Sequence, residues 1–354
     1  MAQGIDLDHT PPAPGHQRLH TLPVRIGVGL LSGLVLIAAF AWFVNLHAAF
    51  RRLEHLNVEF ALLSGVVFLG AYVVRALRWR CFLAPDRVGV LHVVALYQVA
   101  IFINWLLPVR AGELAKSLLL RRSTGIAISR SLATITMDKA MDLLPAVGLV
   151  AFLPLMQLHL SRPLWLLLLS TLTVLGLGAL LLGLLAWRRD RTLAWTIRLV
   201  VKILPAGLGQ RVEPFIVRFI DTLLAIIRQP RLLLLTTAYT AVAVSLDALF
   251  CLLAFRAVGV PVSFLVVLYG FTFFNLAYIL PTPPGQIGSN EVIGLLIFSG
   301  LFGVSRSGVG AMFLFSHPWT AILMATSGTL CLSAMGLTLR STLGLNRQIG
   351  QEGN

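Results

Sequence analysis

The sequence LPTPPGQ at residues 280–286 interrupts an apolar segment that is otherwise helical in composition. A related stretch, LPVRAGE at residues 107–113, interrupts an earlier apolar segment in the same way. Proline cannot donate the next helical hydrogen bond, and glycine lets the chain reverse without a side-chain clash. Each stretch therefore predicts a re-entrant hairpin of two short apolar helices. These hairpins are predicted at about residues 91–120 and 263–303.

The composition around these hairpins is that of a membrane protein. Of the 354 residues, 57% are hydrophobic and only 12% are charged, and the mean hydropathy is +0.87. This composition excludes a water-soluble globule. Six apolar segments are long enough to cross a hydrocarbon core of about 30 Å: residues 26–46, 60–77, 131–157, 164–187, 232–255 and 309–339. The sequence thus predicts an all-α polytopic membrane protein with about six spanning helices and two oppositely oriented re-entrant hairpins.

The net charge of +14, from 28 basic and 14 acidic residues, is a topology signal. Nucleic-acid binding is excluded as its explanation, because the sequence offers no soluble basic face. With both termini cytoplasmic, most basic residues fall on inner segments, as the positive-inside rule requires. This holds only if each hairpin returns to the side it entered, so the hairpins form an inverted repeat. The charge distribution predicts a bacterial cytoplasmic membrane protein with a disordered cytoplasmic tail at 1–22, a membrane domain at 23–339 that includes a cytoplasmic amphipathic segment at 188–231, and a second cytoplasmic tail at 340–354.

Broken helices in an inverted repeat are typical of transporters, whose substrate sites lie near the midplane. The residues predicted to form the turns are Pro108, Gly112, Pro281, Gly285 and Gly288. Freed backbone groups must face protein or a wet cavity, so both turns should line a cavity. Ser289 or Asn290 could cap the second half-helix and leave its amides for a phosphate. The alternative, that these residues only satisfy one another, stays open.

Several ionisable residues lie inside predicted spans, where charge is costly. Asp138 and Asp142 share a helix face at i and i+4, and Lys139 can reach Asp142 at i+3. Arg110, from the first hairpin, is a candidate tertiary partner for the two carboxylates. The alternatives are an ion-pair network that locks hairpin to helix, or a site for headgroup binding or proton coupling.

The remaining polar candidates are spread over the chain. Asp247 has no obvious local partner, and His317, just before Pro318, could meet either Glu291 or Asp247. Arginines at the inner end of the second span (Arg75, Arg78 and Arg80) are interpreted first as positive-inside anchors and second as a lipid-phosphate site. The complete candidate headgroup cavity contains Asn104, Arg110, Glu113, Lys116, Asp138, Lys139, Asp142, Asp247, Asn275, Gln286, Ser289, Asn290, Glu291 and His317.

No catalytic residue, metal or cofactor is predicted. The three cysteines and eight histidines lack metal-ligand spacing. The chain also has no GxSxG motif, paired-Asp metal motif or Ser/His/Asp set.

Three motifs combine these residues: N-x2-L-P-x-R-x-G-E at 104–113, D-K-x2-D at 138–142 and L-P-T-P-x-G-x-x-G-x2-E at 280–291. Together they resemble the lysylphosphatidylglycerol synthase transmembrane-region family, also called flippase-like. In large bifunctional members this region is associated with moving aminoacylated phospholipid across the bilayer, while a separate soluble domain makes it. Only residues 340–354 follow the last predicted helix, so the resemblance implies the translocation half alone.

The chain departs from the family pattern at four positions. It has Asp138-Lys139 where Glu-Arg is common, Lys116 where Arg is common, and Gln286 where Gly is common. The charge is kept in the first two cases, which favours retention of a structural pairing over retention of the same headgroup.

The predicted function is translocation of a lipid with an anionic or zwitterionic headgroup through a cavity between the hairpins. The alternatives are an intramembrane transferase acting on a phospholipid or polyprenyl-phosphate, and an accessory subunit of a lipid-synthesis complex. Membrane lipids are the expected partners, and lipid-synthesis enzymes or a second copy in a homodimer are further candidates.

Overall fold

The computed structural model describes residues 34–107, 111–145, 147–148, 162–188, 194–195, 198, 208–277 and 283–337. Within these ranges the chain forms helices and turns and no strand, which confirms the all-α prediction. Both predicted tails and the residues Pro108, Arg110 and Pro281 lie outside the described residues.

The described helices follow one another in chain order. They are α1 (Leu34–Phe43), α2 (Leu46–Glu54), α3 (Val58–Phe82), α4 (Val90–Leu106), α5 (Gly112–Thr124), α6 (Ile128–Leu143), α7 (Arg162–Trp187), α8 (Leu208–Ile227), α9 (Pro230–Ala257), α10 (Phe264–Ala277), α11 (Ser289–Gly294, continued by a π-helical turn at Leu295–Ser299) and α12 (Arg306–Ala334).

Helices α3, α9 and α12 are long and apolar enough to cross a membrane. The predicted first span does not run straight to residue 46, because α1 ends at Phe43 and α2 leaves it at 87°. Asn45 explains the break, since its side chain accepts a hydrogen bond from the Ala48 amide at 3.0 Å and caps a new helix. The pair α1 and α2 counts as a fourth span if the two are taken together.

The bundle is built on two helix pairs that cross its centre. Helix α3 packs most extensively on α9, and α4 packs on α12. Gly328 of α12 permits the second approach, because a Cβ there would lie 2.5 Å from the Cβ of Phe102 in α4. Helix α8, within the predicted amphipathic segment 188–231, packs its apolar side on α6 through Leu223 and Ile226.

Both predicted hairpin regions contain two short helices in contact. In the first, Gly112 starts α5 directly on α4, where a Cβ would lie only 2.0 Å from the Ala100 carbonyl oxygen. In the second, Phe298 packs on Gly270 of α10. The chain reverses between α10 and α11 through positive φ angles at Gly285 (65°), Gln286 (59°) and Gly288 (79°). The opposite orientation of the two hairpins across the membrane stays a prediction.

Candidate functional site

A cavity of about 810 Å³ lies among α3, α4, α5, α6, α9, α10, α11 and α12 and the turn at Pro284–Gln286. Most of the candidate residues from the sequence line it: Asn104, Glu113, Lys116, Lys139, Asp142, Asp247, Asn275, Gln286, Asn290 and His317. Asp138, Ser289 and Glu291 are not part of the wall, and Arg110 lies outside the described residues. The structure therefore brings together residues that are as much as 213 positions apart in the sequence, from Asn104 to His317.

Arg78 organises the buried side of this cavity. Its Nε lies 2.8 Å from Asp138 Oδ1 and its Nη2 lies 2.7 Å from Asp142 Oδ1. A further hydrogen bond goes from Nη1 to Thr240 at 3.0 Å, while Tyr97 donates to the second oxygen of Asp138 at 3.0 Å. The side chains of Arg78 and Asp138 have no exposed surface. Asp138 is thus a buried counter-ion that no headgroup can touch in this conformation.

Arg75, one helical turn before Arg78, supplies the partner that Asp247 lacks in the sequence. Two parallel hydrogen bonds join the guanidinium of Arg75 to the carboxylate of Asp247, one of them at 3.1 Å. The Nε of Arg75 also lies 3.7 Å from Asp142. Bidentate pairs of this kind are strong and geometrically specific. Asp247 is therefore tied to α3.

The interpretation of Arg75 and Arg78 as positive-inside anchors is wrong, because both side chains point into the bundle and pair with carboxylates there. One signal in the sequence pointed to this role. Arg75 lies inside the apolar segment 60–77 itself. A charged residue within a span normally faces the interior of the bundle and pairs with another charge there.

Glu113 links the first hairpin to α6 through Lys139 and also pairs with Lys116 of its own helix. Lys139 Nζ lies 3.2 Å from Glu113 and 3.6 Å from Asp142. Lys116 Nζ lies 3.1 Å from the other Glu113 oxygen and also stands over the rings of Trp79 and Tyr97, at 4.4 and 4.3 Å from their centroids. Lys116 is thus held by a carboxylate and two aromatic faces, in cation–π contacts.

These ion pairs form one network across α3, α5, α6 and α9. Among the described residues it joins four cations to four carboxylates: Arg75, Arg78, Lys116 and Lys139 with Glu113, Asp138, Asp142 and Asp247. The members differ in exposure. The side chain of Lys139 is 48% exposed and that of Asp142 is 28% exposed, whereas Lys116 is 1% exposed. Lys139 and Asp142 are the charges that a ligand could reach first.

Asn104 has a local structural task in the first hairpin. Its Oδ1 accepts a hydrogen bond from the Gly112 amide at 2.8 Å, and its Nδ2 lies 3.4 Å from Glu113 Oε1. The side chain therefore spans the break between α4 and α5 and satisfies a backbone donor at the start of α5. Asn275, in the second hairpin, lines the cavity.

The start of α11 differs from the prediction. Gly288, not Ser289 or Asn290, occupies the N-cap position, and no side chain caps the helix. The Ser289 hydroxyl donates to the Gln286 carbonyl oxygen at 2.9 Å, and Asn290 Nδ2 lies 3.2 Å from Gln286 Oε1. Both side chains thus form hydrogen bonds with Gln286 in the preceding turn. The expectation that Ser289 or Asn290 caps this helix is wrong, whereas a phosphate site at the helix start stays a prediction.

His317 holds the second hairpin to α12. Its Nδ1 contacts Glu291 Oε1, and its Nε2 lies 2.8 Å from the carbonyl oxygen of Gly285. Of the two partners that the sequence offered for His317, the structure selects Glu291, while Asp247 pairs with Arg75.

The remaining wall of the cavity is largely apolar. Six phenylalanines contribute to it: Phe68, Phe250, Phe271, Phe274, Phe298 and Phe313. The cavity therefore joins a charged region on α3, α5, α6 and α9 to an apolar region, which is a suitable lining for an amphipathic ligand.

The fold and this cavity define a polytopic helical membrane protein with a polar site enclosed by its bundle. The chain belongs to the family described as the lysylphosphatidylglycerol synthase TM region, whose model matches residues 26–328. It is similar to a UPF0104 membrane protein of Pyrococcus horikoshii, at 24% identity over 78% of this chain and 88% of the relative. It is also similar to two UPF0104 membrane proteins of Methanothermobacter thermautotrophicus. One is 27% identical over 81% of this chain and 85% of the relative. The other is 23% identical over 80% of this chain and 86% of the relative.

Proposed function

We propose that this protein translocates a lipid with an anionic or zwitterionic headgroup between the leaflets of the cytoplasmic membrane. The observation that carries this proposal is the cavity itself, where an ion-pair network meets a wall of phenylalanines. A headgroup needs polar partners to leave water, and its acyl chains need apolar surroundings. A cavity with both surfaces meets these two requirements.

Lys139 and Asp142 are the proposed headgroup contacts. They are the most exposed charges of the network, and they lie 3.6 Å apart. A phosphate would bind the ammonium of Lys139, and an ammonium group of a zwitterionic lipid would bind Asp142 or Glu113. Arg75 and Arg78 do not contact the headgroup in this proposal. Their hydrogen bonds to Asp247, Asp138 and Asp142 hold the carboxylates in place.

The two hairpins are the proposed moving parts. The first is held by Lys139 through Glu113, and the second is held by His317 through Glu291. These polar contacts lie in the wall of the cavity or directly behind it. Exchange of these contacts for contacts to a headgroup would free a hairpin to open one side of the cavity.

Proteoliposomes containing the purified protein would test the proposal. Phosphatidylglycerol and phosphatidylethanolamine with fluorescent tails would be placed in both leaflets, and a membrane-impermeant quencher would report exchange between the leaflets. We expect loss of the protected inner-leaflet signal with protein and its persistence in protein-free vesicles. No exchange of either lipid, together with transfer of a labelled headgroup to an acceptor, would favour the intramembrane transferase instead.

A further inference from the structure

The hydrogen bonds of the His317 ring show that a proton is shared between His317 and Glu291. The Nε2 of His317 lies 2.8 Å from the carbonyl oxygen of Gly285, and a carbonyl oxygen only accepts hydrogen bonds. The Nε2 atom therefore carries a hydrogen. A neutral imidazole has only one N–H, so its Nδ1 would then be an acceptor.

The second contact of the ring fixes the position of the additional proton. Nδ1 lies within hydrogen-bond distance of Glu291 Oε1, and an ionised carboxylate is also only an acceptor. Two acceptors at this distance repel one another. One proton must therefore lie between His317 and Glu291, either on the ring as an imidazolium or on the carboxyl group.

This proton connects two structural elements. His317 belongs to α12, Glu291 belongs to α11, and Gly285 lies in the left-handed turn at the break of the second hairpin, with φ of 65°. One imidazole ring therefore ties both the turn and the half-helix of that hairpin to α12. Loss of the proton would leave a carboxylate facing a ring lone pair and would remove one of the two ties.

The surroundings favour a site that exchanges its proton with the cavity. His317 lines the cavity, and the side chains of His317 and Glu291 are 11% and 12% exposed. The other oxygen of Glu291 is buried and has no hydrogen-bond partner among the described residues. A permanently charged carboxylate in that position is costly, so the proton has a physical reason to bind.

Other titratable groups reach the same cavity but belong to the separate network. The elements around the pair contribute Tyr72, Arg75 and Arg78 from α3, Tyr97 from α4, Glu113 and Lys116 from α5, Lys139 and Asp142 from α6, and Asp247 and Cys251 from α9. Among the described residues, the ion pairs within 4 Å join these charges to one another and to Asp138, and none joins them to His317 or Glu291. The proton on the pair can therefore change without breaking the network directly.

We infer that the His317–Glu291 pair is a proton-binding site that couples movement of the second hairpin to proton translocation. This inference rests on the proposed lipid translocation and names its coupling ion. With the proton bound, the hairpin is closed on α12. Release of the proton to water on one side of the membrane frees the hairpin, and uptake from the other side closes it again. No bond other than that to the proton is made or broken.

A distance measurement tests the proton site without any transport assay. Spin labels at Leu296 in the second hairpin and Ile322 in α12, both exposed, would report their separation by pulsed electron paramagnetic resonance after Cys81, Cys251 and Cys331 are replaced by alanine. We expect the distance distribution to shift between about pH 5 and pH 9, a range that spans histidine titration. In Glu291→Gln the amide N–H can donate to Nδ1 at any pH, so the distribution should stay at its closed form.

Glu59→Gln, an exposed carboxylate at the start of α3, is the matched control and should keep the wild-type pH response. A shift that is present in the Glu291→Gln protein, or absent from the wild type, would overturn the proton site whatever the transport activity.

A gradient experiment tests the coupling separately. Lipid exchange in proteoliposomes would be measured with a one-unit pH gradient in either direction and with none. We expect the net direction of wild-type translocation to follow the gradient, with inward and outward rates that differ by up to about tenfold, the ratio of proton activities. Glu291→Gln should lose this directionality. Wild-type exchange that is independent of the gradient would contradict the proton coupling but not the lipid translocation. The absence of any exchange would contradict the proposed function itself.

Discussion

Arg78 and Asp138 form an ion pair of 2.8 Å in which neither side chain has any exposed surface. The pair joins α3 to α6 across 60 positions of sequence, and the same guanidinium reaches Asp142 and Thr240. Its hydrogen bonds thus reach two helices besides its own, α6 and α9. This makes Arg78 the side chain on which the position of the α6 carboxylates depends.

Arg78→Ala should lower the free energy of unfolding by about 3–5 kcal/mol, because it leaves a buried carboxylate without compensation. Arg78→Lys should recover only part of the loss, since an ammonium group cannot reproduce the fork of donors. Unfolding by denaturing detergent, followed by circular dichroism, would measure both. Arg87→Ala removes an exposed arginine beyond the end of α3 and should change little. Equal effects of Arg78→Ala and Arg87→Ala would contradict the assigned role.

Gly112→Ala should destabilise the first hairpin. The added Cβ would lie 2.0 Å from the Ala100 carbonyl oxygen and 2.7 Å from Asn104 Oδ1, so α5 must move away from α4. Overpacking of this kind costs about 1–3 kcal/mol, and contact with backbone places this case at the upper end. Gly89→Ala, where nothing lies within 4 Å of the added atom, is the control. Thermal unfolding in detergent would compare them, and a loss confined to Gly89→Ala would refute the close approach.

Gln286→Gly should be more stable than Gln286→Ala by about 1–2 kcal/mol, the cost of a left-handed conformation for a residue with a Cβ. Gln286 has φ of 59°, and its side chain accepts a hydrogen bond from Asn290. Both substitutions remove that acceptor, so their difference isolates the backbone term. The same unfolding assay gives the ranking. An alanine variant at least as stable as the glycine variant would show that the turn relaxes without strain.

Lys139→Gln should slow lipid exchange in proteoliposomes by about tenfold or more, because a hydrogen bond to a charged group contributes about 1.5–3 kcal/mol. Arg130→Gln is the matched control, since Arg130 pairs with Asp86 at 3.0 Å away from the cavity. Its exchange rate should equal that of the wild type. If Lys139→Gln protein of normal stability moved lipid at the wild-type rate, the headgroup contact would have to be sought elsewhere in the cavity.

Local chemistry made much of the architecture predictable. Apolar runs of spanning length predicted the membrane helices, and α3, α9 and α12 confirm that reasoning. The polar residues inside those runs were recognisable as special because charge at membrane depth is costly. The predicted first span extends past the real end of α1 at Phe43. The break depends on one residue, the N-cap Asn45 of α2, which is easily overlooked in an apolar segment.

Composition and apolar segment lengths were enough to predict an all-α membrane protein with costly charges inside its spans and at its helix breaks. Which of those charges meet depends on the tertiary packing. Arg75 was adjacent to no carboxylate in sequence, yet the packing of α3 on α9 brings it to Asp247, 172 positions away. Pairing of this kind depends on how each helix is rotated about its axis and on which neighbour it faces. Those quantities are set by side-chain packing over the whole bundle and not by any local pattern.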